Sequence, residues 1–126
     1  MVVDASSAIA LFIPDEDAPS ALTGDRLVGS IAPTLWPYEV LSALRSAERI
    51  GRIAHDDAVQ AATALASLPI EFVHPSFHDV LALSRRTDLS IYDASYLALA
   101  LTSRLPLATR DRRLASAAAD VGIATV

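Results

Sequence analysis

A parallel α/β domain is the fold class this sequence predicts, and three observations carry the prediction. Short apolar runs recur along the chain, at Val2-Val3, Leu27 to Ala32, Ile70 to Val73, Pro106 to Thr109 and Ile123 to Val126. Segments with helical spacing of apolar residues separate them. The chain has 126 residues, 52% of them hydrophobic, enough for one domain with a real core and too apolar for disorder. Short apolar strands alternating with helices fit a parallel sheet with helices on both faces.

Each element has its own signals. Val2-Val3 is a strand stopped by Asp4; Ala5-Ser6-Ser7 reads as a turn and Ala8 to Ile13 as a helix. Pro14-Asp15-Glu16-Asp17-Ala18-Pro19 is an acidic turn leading to a short helix near residues 17–23. Leu27 to Ala32 is the second strand. Pro37 suits the first turn of a helix and Gly51 its end, with Val40, Leu41, Leu44 and Ala47 spaced between them. Asp56 and Asp57 favour a helix start; that helix runs through Leu68, and Pro69 breaks it. Ile70 to Val73 is the third strand. Pro75 to Arg86 is helical, and residues 91–103 form a strongly apolar helix. Pro106 to Thr109 is a strand, Arg112 to Ala119 a helix, and Ile123 to Val126 the last strand.

Composition removes several kinds of chemistry. There is no cysteine, hence no disulfide, thiol nucleophile or Cys-bound zinc. All ten basic residues are arginine, which excludes a P-loop lysine and a Schiff-base amine. No run approaches the roughly 18 apolar residues of a membrane span. Met1-Val2-Val3-Asp4 has neither a basic region nor an apolar signal core, so the expected location is the cytoplasm, with no membrane partner. The net charge of −5 is unusual for a general nucleic-acid binder. Contact with nucleic acid would need grouped arginines or cations that screen the acids.

The acids fall at telling places. Asp4 and Asp111 lie just past the carboxyl ends of the first and fourth strands, while Glu39 and Asp93 lie in the first turns of helices. A parallel α/β fold brings such positions to one rim, where these sheets bind ligands. Each acid also has a local explanation. Ser90 and Asp93 have capping-box spacing, although Asp is short for that job; Glu39 suits a helix dipole; Asp4 and Asp111 suit helix caps. Together they fit those roles less well. Two carboxylates about 4 Å apart repel by roughly 4 kcal/mol at an effective dielectric of 20. Four on one rim would raise one another's pKa values or bind a hard cation such as Mg²⁺ or Mn²⁺. Such an ion activates water and neutralises charge on a phosphodiester.

The segments Val2-Val3-Asp4-Ala5-Ser6, Glu39-Val40, Tyr92-Asp93-Ala94-Ser95-Tyr96-Leu97-Ala98-Leu99-Ala100 and Thr109-Arg110-Asp111-Arg112-Arg113-Leu114 resemble the PIN domain. Chain length and motif order resemble the VapC-type toxins of bacterial toxin–antitoxin pairs. The resemblance spans residues 1–126 as a single PIN-like domain. It implies a five-stranded parallel sheet flanked by helices and a Mg²⁺- or Mn²⁺-dependent endoribonuclease. It also implies a VapB-type antitoxin and a homodimer. Asp4, Glu39, Asp93 and Asp111 fall on the family's acidic quartet, Ser6 and Thr109 on its nearby hydroxyl positions. On this reading Asp4 and Asp93 are the main metal ligands. Glu39 and Asp111 complete the acidic shell, either holding a second ion or orienting the attacking water, and Ser6 and Thr109 bond to carboxylates or metal waters.

Other signals are weaker. Arg112 and Arg113 beside Asp111 are candidates for phosphate contact. Arg45, Arg49 and Arg52 share helical spacing and read most simply as a solvated face. His74 and His78 have i, i+4 spacing, but Pro75 disfavours a shared helix. Trp36 and Tyr38 suit either core or a partner surface. Two other functions compete. An aspartyl phosphatase-like enzyme would carry a second Asp where Ser6 stands. A non-catalytic PIN-like binding module would not need an intact quartet.

Overall fold

A computed structural model gives the fold, and it describes residues 1–13 and 24–126. The elements run β1 (Val2–Val3), α1 (Ala5–Ile9), α2 (Gly24–Leu27), β2 (Ser30–Pro33), α3 (Trp36–Arg49), α4 (His55–Leu65), β3 (Ile70–Val73), α5 (Phe77–Thr87), α6 (Ile91–Ser103), β4 (Leu107–Ala108) and α7 (Arg112–Asp120). The acidic turn and the short helix expected over residues 14–23 lie outside the described residues.

The strands form one parallel sheet in the order β3-β2-β1-β4. Val2 pairs with Ile31 on one side and with Leu107 on the other. Both Val2 and Val3 are fully buried, and successive strand residues point to opposite faces, so helices cover the sheet on both sides. The connections step outward from β1 to β2 to β3, then return to place β4 on the far side of β1. That reversal makes a crevice beyond the carboxyl ends of β1 and β4, where open α/β sheets bind ligands.

Several boundaries differ from expectation for local reasons. The fifth strand, expected at Ile123 to Val126, is reduced to one parallel bridge between Leu107 and Thr125. Leu107 donates to the Ala124 carbonyl at 2.9 Å and accepts from the Val126 amide at 3.0 Å. With β4 only two residues long, there is no further ladder to pair with. The second strand starts at Ser30 rather than Leu27, because Gly29 takes a left-handed φ of 78° and Leu27 closes α2. No turn separates β1 from α1: the amides of Ser7 and Ala8 donate to the Asp4 carbonyl at 3.1 and 3.3 Å. Gly51, at φ 78°, follows α3 as a left-handed terminator should.

Helix α6 is the central post of the domain. It packs against β1, β2, β4, α5 and α7. Every residue from Ala94 to Ala100 is buried, as expected of a helix that is apolar all round. Leu97 and Leu99 each contribute roughly 1.5–3 kcal/mol by burial. Its first turn alone reaches the rim. Trp36 is buried with its ring centre 5.9 Å from that of Phe72, while Tyr38 is exposed. Among the described residues no helix is long and apolar enough to cross a membrane.

Candidate active site

Asp4 is set by the strand that precedes it. β1 ends at Val3, and Asp4 is the residue before α1, yet its carboxylate does not cap that helix. It is turned instead to two hydroxyls: Ser6 Oγ donates to Oδ2 at 2.5 Å and Thr109 Oγ1 donates to the same oxygen at 2.7 Å. Each hydroxyl accepts a backbone N–H in return, from Arg110 at 3.0 Å and from Asp111 at 3.0 Å. A hydroxyl that accepts an amide has its proton aimed elsewhere, so both are fixed as donors. They use one carboxylate oxygen, and among the described residues no side chain donates to the other. Asp4 is only 5% exposed. Burial raises its pKa, the two hydroxyls oppose that rise, and the charge of Asp93 adds to it.

Glu39 lies in the first turn of α3, after β2 and the Thr34-Leu35 link. Tyr96 Oη donates to Glu39 Oε1 at 2.6 Å. Tyr96 is fully buried, and a buried tyrosine needs such an acceptor. Burial raises the Glu39 pKa, the tyrosine opposes it, and Asp4 and Asp93 raise it further. Tyr96 is driven up in turn by burial and by Glu39, so its hydroxyl keeps its proton. No motif reading singled out Tyr96. The signal for it is its place one turn after Asp93 on an otherwise apolar helix.

Asp93 and Asp111 show what became of the capping explanations. Ser90 Oγ accepts from the Asp93 amide at 3.0 Å, so Ser90 caps α6. The Asp93 carboxylate does not close the box, and among the described residues it accepts no hydrogen bond. It is half-buried and acts on Asp4 and Glu39 through its charge. Asp111 does cap α7: Oδ1 accepts from the amides of Arg113 at 2.8 Å and Leu114 at 2.9 Å. Its second oxygen is not used in the cap.

All four acids, with Ser6, line one cleft of about 370 Å³ walled by Ile9, Ala43 and Ser46. Among the described residues no ion pair reaches any of them. Nor do any three acidic or histidine side chains there stand close enough to grip an ion unaided. The donor set is all oxygen, with no sulfur or nitrogen ligand in the lining. That fits a hard dication held by one or two carboxylates and completed by water and a substrate phosphate, the habit of Mg²⁺; Mn²⁺ accepts the same donors.

The remaining candidates are dispersed. Arg113 Nη2 donates to the Asp88 carbonyl at 3.0 Å, where Asp88 ends α5 in a left-handed conformation. Arg112 is exposed in the first turn of α7, and neither arginine lines the cleft. Arg45, Arg49 and Arg52 are all exposed, in keeping with a solvated face; Arg45 pairs with Glu48 at 2.7 Å, and Arg52 lies beyond the end of α3. His74 stands before α5 with Nδ1 3.4 Å from Thr34 Oγ1, while His78 is on α5.

The chain is similar to known proteins over most of its length. The family model of the PIN domain matches residues 1–120. Ribonuclease VapC3 of Mycobacterium tuberculosis is 39% identical over 121 residues, covering 93% of this chain and 86% of that protein. Ribonuclease VapC3 of Pyrobaculum aerophilum is 32% identical over 123 residues, covering 91% and 92%. The crystal structure of PAE2754 from Pyrobaculum aerophilum superposes with a TM-score of 0.73 at 27% identity, covering 92% of this chain and 84% of that one.

Proposed function

The chain belongs to the PIN domain family, and from that premise we propose that it is an endoribonuclease dependent on Mg²⁺ or Mn²⁺. It is the toxin of a toxin–antitoxin pair, acts as a homodimer and is neutralised by a VapB-type antitoxin. One observation carries the reading: Asp4, Glu39, Asp93 and Asp111 converge from separate elements on one cleft, with no described side-chain cation paired to them. Its VapC-type relatives are named ribonucleases, which supports RNA as the substrate.

Asp4 and Asp93 would hold the ion, directly or through water, and Glu39 and Asp111 would complete the acidic shell. A divalent ion bound there would neutralise charge building on the phosphodiester and make a bound water more acidic. The chain supplies the geometry. Ser6 and Thr109 fix the Asp4 carboxylate in one orientation and favour its charged form. Glu39 orients the attacking water. Water adds at phosphorus, one P–O ester bond breaks, and the leaving oxygen takes up a proton. Arg112 and Arg113, both exposed in the first turn of α7, steady a flanking phosphate, and Arg113 also donates to the Asp88 carbonyl.

The test is RNA cleavage by the purified protein with added Mg²⁺ or Mn²⁺, with EDTA, and with Asp4→Asn or Asp93→Asn. Cutting is expected only in the wild type with metal. Undiminished cutting in EDTA or in either variant would overturn the assignment.

A further inference from the structure

The acid cleft has a floor that the metal-ligand reading leaves unused. Tyr96 sits one helical turn below Asp93 on α6 and is fully buried. Its hydroxyl donates across to Glu39 on α3, 57 residues away in sequence. The backbone amide of Ala5, beside Asp4, acts on both the Asp4 carboxylate and the Tyr96 hydroxyl. One phenol therefore stands where the first turns of α1, α3 and α6 meet, and these turns carry Asp4, Glu39 and Asp93.

We infer that Tyr96 is a positioning residue that fixes the Glu39 carboxylate for the site. The inference rests on the ribonuclease reading above and deepens it. Glu39 has three χ angles, is half-buried, and faces two neighbouring carboxylates. Left to itself it would swing away from them toward water. The 2.6 Å bond pins Oε1, and a rigid buried ring on a helix with no freedom to move sets where that oxygen stays. Oε2 is then the oxygen presented to the cation's water. Tyr96 touches neither substrate nor ion; it acts through Glu39.

Tyr96→Phe keeps the ring packing and removes only the hydroxyl. Two readouts follow: RNA cleavage at saturating Mn²⁺, and Mn²⁺ affinity measured by calorimetry without RNA. The variant is expected to lower kcat about 10-fold and weaken Mn²⁺ binding about 10-fold, the lower end of losses seen when a ligand's supporting partner is removed. KM for RNA should stay within about twofold, since no substrate contact is lost. In a Glu39→Ala background Tyr96→Phe should change neither quantity further, because nothing remains to be positioned. Equal losses with and without Glu39 would overturn the inference in favour of a packing role. Unchanged kcat and unchanged Mn²⁺ affinity in Tyr96→Phe would overturn it outright. If the wild type binds Mn²⁺ but cuts no RNA, the ribonuclease reading falls, and the calorimetric arm alone still decides for or against Tyr96.

Discussion

Helix α3 carries two glutamates that have opposite fates. Glu39 and Glu48 are nine positions apart (48 − 39), which at 100° per residue puts them on opposite faces of the helix. Glu48 meets the Arg45 guanidinium at 2.7 Å and the His55 ring Nδ1 at 2.8 Å, the latter tying α3 to the start of α4. The hydrogen bond from His55 pulls its pKa down, helped by Arg45. Glu39 meets two acids and a tyrosine, and burial pushes its pKa up. The same side chain on the same helix is favoured in its charged form in one place and disfavoured in the other. Among the described residues no cation is paired with the acids around Glu39, an arrangement that the proposed divalent ion would relieve.

The sharpest way to break this comparison is to neutralise each side in turn. Asp4→Asn or Asp93→Asn should cut the rate of RNA cleavage by about 100-fold or more, beyond the usual effect of changing a supporting group. Glu48→Gln should leave it within about twofold. If Glu48→Gln were as damaging as Asp4→Asn, the distinction between the two faces would collapse.

A smaller effect separates the acids from their supports. Ser6→Ala or Thr109→Val removes one of the two hydroxyls on Asp4 Oδ2, and each should weaken Mn²⁺ binding by about 10- to 100-fold. Calorimetric titration would show it. Affinity unchanged in both variants would mean that the hydroxyls do not orient Asp4.

The smallest effect is thermal, and its sign differs between the two faces. The folded pKa of Asp4 lies above its ordinary 3.8, so its penalty is absent below that value and grows as pH rises through the folded pKa. Glu48 has a lowered folded pKa, so its contribution is full above its ordinary 4.5 and fades as pH falls through the folded value. In EDTA at neutral pH, Asp4→Asn should therefore melt higher than the wild type and Glu48→Gln lower. At this size roughly 3–6 °C corresponds to each kcal/mol. Excess Mn²⁺ should invert the order for Asp4→Asn, because ligand at about 100 times its Kd stabilises the wild type by about 2.7 kcal/mol. Calorimetric scans at pH 4 and 7 would check both signs, and a lower melting point for Asp4→Asn in EDTA at pH 7 would contradict the account.

Much of this was legible in the residues. Helix α6 was readable to the residue because a mostly apolar run of thirteen residues lies between Ser90 and Arg104. The four acids were readable because strand ends and helix starts are marked by local chemistry, and the fold brings those places together. What escaped depends on tertiary contact. The fifth strand fails because its partner is two residues long, which Ile123 to Val126 cannot reveal. The bond from Arg113 to the Asp88 carbonyl at the end of α5 is such a contact, and Arg113 gives no local sign of it. Tyr96 looked like one more core residue because its partner lies on another helix. Asp93 was ambiguous between cap and site, and the division is clean: Ser90 does the capping, and the carboxylate is left over.

One register has a consequence for how the protein is made. Asp4 is held by Thr109, 105 residues later in the sequence, and β1 finds its second neighbour only in β4. Synthesis runs from the first strand toward the last, and pairing over so long a separation closes late. Until β4 has emerged, Asp4 has no Thr109 and Asp111 does not exist. If the proposed ribonuclease site is right, its cleft is incomplete through most of the chain's own translation. Ribosome-bound chains stalled before Pro106 should cut no RNA, and cutting by such chains would show that the cleft works without its last strand.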